Sequence, residues 1–66
     1  MNTTTINALL ALASEAESLA VYFPALRAAA EGDCSAVTQI RWYANNAPDG
    51  TAAAYFSGKA LEILDA

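Results

Sequence analysis

Few side chains in this chain could do covalent chemistry. Cys34 is the single thiol. It follows Gly32-Asp33 near an expected helix start, where the positive end of a helix can activate a thiolate. No base is at hand for it. The 66 residues contain no histidine, the side chain that most often moves protons near neutral pH, and Asp33 sets a negative charge beside the sulfur. Two carboxylates converging on one bond could supply acid and base instead. Candidates are Glu15 with Glu17 and Glu31 with Asp33. Residues two apart on a helix diverge, which separates the first pair. The second brackets Gly32 at an expected helix end, and the sequence offers no pocket there. The three glycines are too far apart for a phosphate loop. Asp49-Gly50-Thr51 is too short for a calcium loop, and one cysteine without histidine makes no zinc site. The residues imply no catalytic group, no metal and no cofactor, and they direct attention to binding.

For binding, the acids form the more informative set. Seven acids face three bases, for a net charge of −4. Glu15, Glu17, Glu31, Asp33 and Asp49 fall on expected helix flanks and turns, and Glu62 and Asp65 near the end of the chain. Arg27, Arg41 and Lys59 are scattered among them, so most of the surface field should be negative. Such a field argues against a protein that neutralises phosphates and suits docking on a basic protein groove. The plainer alternative is acidity that serves solubility. The other group is Arg41-Trp42-Tyr43. If Val37 and Ile40 face inward, Arg41 and Trp42 lie at the boundary, where those two types dominate interface hot spots. The alternative for Trp42 is a ring laid across the core edge with its N–H in water.

Four elements must position these residues. The first is a helix from about Thr4 or Thr5 to Tyr22, capped by a threonine. Leu9, Leu12, Ala16, Leu19 and Phe23 mark one face of a 3.6-residue period. Pro24 then kinks that helix or opens a second, short one to Glu31, and Gly32 suits its left-handed stop. A third helix, from about Ala36 to Asn45 and capped by Asp33 or Ser35, is favoured over a strand. The β-branched and aromatic run Val37–Tyr43 would suit a strand, but no other segment offers it a partner. The turn Asn45–Gly50 leads to a fourth helix over Thr51–Leu64, capped by Asp49 or Thr51. Gly58 inside that helix implies a close backbone approach or a local kink. The expected product is a single all-α domain over residues 1–66, a compact bundle of three to four helices. Its core should draw on Leu9, Leu12, Leu19, Phe23, Leu26, Val37, Ile40, Tyr55, Phe56, Ile63 and Leu64. Hydrophobic residues make up 56% of the chain, but 17 residues are alanine, so the interior rests on few large side chains.

No apolar stretch reaches the length of a membrane span. The first residues lack the basic start of a signal peptide, and one unpaired cysteine fits a reducing cytoplasm. In size, acidity and lack of catalytic residues, the whole chain resembles the small phage-encoded anti-CRISPR proteins. That resemblance implies an inhibitor in the cytoplasm of a bacterial host cell. Its partner would be a CRISPR surveillance complex, held by an acidic, DNA-mimicking surface that blocks target DNA without itself contacting nucleic acid. Glu15, Glu17, Glu31, Asp33, Asp49 and Trp42 are the expected partner-binding residues. The alternative is a self-associating helical regulatory module, such as an antitoxin or adaptor subunit. A monomer or a small homo-oligomer is expected accordingly.

Overall fold

The computed structural model describes all of residues 1–66. Four helices follow in order: α1 (Thr3–Ser18), α2 (Ala25–Ala30), α3 (Cys34–Asn46) and α4 (Ala52–Leu64). Each packs against its two neighbours, α1 on α2, α2 on α3, α3 on α4 and α4 back on α1, so the chain closes a ring around one core. The protein is all-α. A chain of 6.9 kDa should keep about 4,000 Å² of surface when folded, and it keeps 4053 Å². The ring therefore closes its core to ordinary compactness.

Three helices start where a side chain accepts from their first donors, and α2 starts at a proline with no side-chain cap. Asn2, not a threonine, caps α1, its Oδ1 accepting from the Thr5 amide at 2.8 Å. Asparagine outranks threonine at this position, and the helix begins earlier than expected. Pro24 opens α2 from a helical φ of −65°. Asp33 caps α3, accepting from the Ser35 and Ala36 amides. Thr51 caps α4, accepting from Ala54 at 3.2 Å while donating to the Pro48 carbonyl. With Asp33 in place and no strand anywhere, Val37–Tyr43 is helical. Its β-branched side chains lie on a helix that buries Ala36 and Ile40.

The end of α1 departs from the expectation. The helix stops at Ser18, four residues before Tyr22, because Ala20 takes a left-handed φ of 59°. Val21 N–H donates back to the Ala16 carbonyl at 2.8 Å and Ala20 N–H to Glu17 at 3.0 Å. This is the paired-bond helix stop that glycine ordinarily occupies. The end of α2 is built identically, with Gly32 at φ 95° and bonds from Asp33 to Ala28 and from Gly32 to Ala29. The two stops form a matched pair with opposite residues. An L-residue in this conformation costs about 1–2 kcal/mol, and the freer unfolded chain of glycine returns part of that. Ala20→Gly should therefore stabilise by about 0.5–1 kcal/mol and Gly32→Ala destabilise by a similar amount. Opposite shifts of the thermal midpoint, about 4–8 °C per kcal/mol in a domain this small, would be read by circular dichroism.

Early termination of α1 removes Leu19 from the core: it is 62% exposed. Tyr55 is half exposed, its ring edge-on to Phe56 and under the Lys59 ammonium. Of the other expected core residues, Leu9, Leu12, Leu26, Ile40 and Phe56 are buried, and Phe23, Val37, Ile63 and Leu64 pack against them half-buried. Seven alanines complete the interior, among them Ala29 and Ala60 at zero exposure. Ser57 is fully buried beside them, its hydroxyl donating to the Ala53 carbonyl of its own helix.

Gly58 is not the site of close approach. A β-carbon there would meet nothing within 4 Å, and α4 runs unbroken through it. No contact in the structure explains the glycine. Gly58→Ala should stabilise by about 0.8–1 kcal/mol from helix propensity alone, seen as a higher urea midpoint with unchanged slope.

Candidate interaction surface

The bases and acids pair across helix boundaries. The Arg27 guanidinium, on α2, holds the Glu17 carboxylate of α1 with two bonds, one of 2.8 Å from its terminal nitrogen and one from Nε. Arg41, on α3, likewise grips Asp65 just beyond α4, at 2.7 and 3.2 Å. Lys59 lies 3.9 Å from Glu62 within α4. Every cation of the chain thus has an acid beside it. Glu15, Glu31, Asp33 and Asp49 are left without a cation within ion-pair reach, matching in number the net charge of −4.

The expected site residues are consequently not equivalent. Glu17 is held by Arg27, whose hydrogen bond pulls the carboxyl below its ordinary range, and the same contact raises the guanidinium. Asp65 and Arg41 shift in the same senses for the same reason. Asp33 spends one carboxylate oxygen on the α3 cap. Glu15 lies exposed on α1 and Asp49 in the turn before α4. Glu31 takes the C-cap position of α2 and is exposed. Because Glu17 and Asp65 are depressed, they add stability above the carboxyl pKa of the unfolded chain, near 4, and lose it as pH falls through their lower folded values. The thermal midpoint should be level from neutral pH down to about 5 and fall below 4. In the Glu17→Gln/Asp65→Asn double variant that acid limb should be shallower.

Two depressions give these charges a local setting. One, of about 410 Å³, lies between α1 and α2. Its floor includes Ala13, Ala16, Val21 and Ala28, and Glu17, Arg27 and Glu31 stand at its edge. The other, of about 220 Å³, is lined by Tyr22, Phe23, Pro24, Gln39, Tyr43 and neighbouring alanines. Tyr22, Phe23 and Pro24 belong to both and form a ridge between them. The ridge exists because α1 stops at Ser18 and the chain is non-helical over Val21–Phe23, as expected for the residue preceding a proline.

Tyr22 is 91% exposed, the most exposed large apolar residue of the chain, followed by Leu19, Trp42 and Met1. Phe23 stands edge-on to Tyr43 at 5.5 Å, and Tyr43 to Trp42 at 5.2 Å. Trp42 thus stands one ring beyond the lining of the aromatic cleft, 58% exposed, while its neighbour Arg41 is engaged with Asp65. Cys34, Glu15, Asp33 and Asp49 line neither depression.

The structure therefore brings Glu17 and Glu31 to one depression, with Trp42 one ring away from the other, and leaves Glu15, Asp33 and Asp49 apart from both. Tyr22 and Phe23 did not stand out as surface residues, because the apolar period continues past Ala20. The signal that marks them is Pro24, which already disfavours helix at Phe23. No helix is long and apolar enough to cross a membrane. Comparison with known protein families, curated proteins and solved structures finds no match for this chain.

Proposed function

We propose that this chain is a non-enzymatic interaction protein that docks an acidic, aromatic-bearing surface on a basic protein partner. The observation that carries this reading is the pairing of all three cations, which leaves the remaining carboxylates as an uncompensated field. Uncompensated acids steer a basic partner to the surface, and exposed Trp and Tyr residues are the types that anchor an interface once docked. The location of the thiol outside both depressions supports binding in preference to covalent chemistry.

The resemblance to small anti-CRISPR proteins makes the DNA path of a surveillance complex the first partner to test. Purified surveillance complexes would be incubated with the chain and labelled target DNA across a range of NaCl. The reading expects loss of DNA binding that weakens as salt shortens the Debye length, and that is relieved by Glu15→Lys/Glu31→Lys/Asp49→Lys. Chain and DNA bound together without interference would rule out occlusion. Exposure of Leu19, Tyr22 and Trp42 favours a second reading, a self-associating regulatory module. Light scattering at high micromolar concentration separates the two: the first reading expects a monomer and the second a dimer or larger.

A further inference from the structure

We infer that the two depressions flanking the Tyr22–Phe23–Pro24 ridge form one bipartite peptide site. An arginine or lysine side chain of the partner enters the α1–α2 depression, and a bulky apolar side chain close to it in sequence enters the aromatic cleft. The inference rests on the basic-partner reading above and narrows it to one place and one peptide chemistry.

Charge complementarity selects the first occupant. Two carboxylates, Glu17 and Glu31, and one guanidinium, Arg27, line the depression, so it carries a net negative charge. Arg27 commits its Nε and one terminal nitrogen to Glu17, with Ser14 at 3.5 Å from that nitrogen, so Glu31 lies within reach of its field but holds no ion pair with it. The alanine and valine floor suits the methylene stem of a long cationic side chain, which buries its carbons while keeping its charged head near solvent. The Tyr22 ring, almost wholly exposed at the same rim, has room to turn its negative face to that head.

The second occupant follows from the lining of the other cleft. Phe23, Pro24 and Tyr43 make it apolar, with Gln39 as a polar group able to bond a peptide backbone. Because both depressions share the ridge residues, their occupants must be close together along one chain. In an extended peptide, alternate side chains project to the same side about 6–7 Å apart, which lets two of them straddle a narrow ridge.

The test selects displayed random twelve-residue peptides on the immobilised full chain. The selected peptides are then titrated against Trp42, the single tryptophan, by fluorescence. Trp42 reports on the cleft through its edge contact with Tyr43, and peptides containing tryptophan are set aside. The expected peptides carry Arg or Lys within three positions of Leu, Ile, Phe or Pro. Glu31→Gln should weaken them about two- to fivefold, the range of an exposed charge contact. Tyr22→Ala should weaken them about fivefold or more, as loss of an interface anchor does. Arg27→Gln should tighten them, because it releases Glu17 to the incoming cation. Thermal melts confirm that each variant is folded. Basic peptides that bind Glu31→Gln and Tyr22→Ala as well as the parent would overturn the bipartite site and leave the basic-partner reading standing. A selection that returns no binder, or only peptides without a basic residue, overturns both.

Discussion

Phe56→Ala is expected to lose about 3–5 kcal/mol of stability, the range for truncating a buried aromatic residue. A domain of this length has on the order of 3–10 kcal/mol in total, so the variant should be largely unfolded at 37 °C. Phe56 is 2% exposed and heads the largest fully buried side chains, with Leu9, Leu26 and Ile40. No other aromatic residue is buried, so nothing of similar size can move in to fill the space. Phe56→Leu, which keeps most of the volume, should lose clearly less. Urea denaturation measures both. A midpoint for Phe56→Ala that stays within 1 kcal/mol of the parent would mean that the core is centred elsewhere.

Ala29→Leu should destabilise by about 1–3 kcal/mol, because extra methylenes in a closed interior force side chains off their rotamers and helices apart. Ala29 has no exposed surface, on a helix that packs against both α1 and α3. Ala11→Leu is the control. It adds the same atoms at an exposed position of α1, where substitutions usually stay within about 0.5 kcal/mol. Two identical substitutions with different outcomes would show that alanine serves two purposes here, close packing inside and helix formation outside. Equal effects would contradict the assignment of Ala29 to a tight contact.

How far the sequence discloses this arrangement depends on how local each cause is. The caps were legible to within one of two residues, Asp33 or Ser35 and Asp49 or Thr51, because a cap acts within three residues, and Gly32 was legible as a stop for the same reason. The end of α1 was not. Ala20 holds a left-handed conformation that its residue type does not announce, so periodicity carried the helix four residues too far and put Leu19 in the core. Buried and exposed alanines look alike in sequence, since the difference between Ala29 and Ala11 is made by neighbouring helices. Among the candidate site residues, the boundary position of Trp42 followed from the inward faces of Val37 and Ile40. The capture of Glu17 by Arg27, ten residues on, and of Asp65 by Arg41, 24 residues back, depends on tertiary placement. For that reason the acids looked interchangeable before folding. The structure separates Glu31, outside any ion pair and lining the α1–α2 depression, from Glu17 and Asp33, which are already engaged.

The claim that the ridge and its acidic depression are the docking surface is tested most directly by an amide NMR titration with a capped hexa-arginine peptide, at low and at high NaCl. The account predicts that the largest shift changes fall at Val21, Tyr22, Arg27 and Glu31, and that they vanish at high salt, as exposed charge contacts do. Changes spread evenly to Glu15 and Asp49, or no changes at either salt concentration, would contradict it.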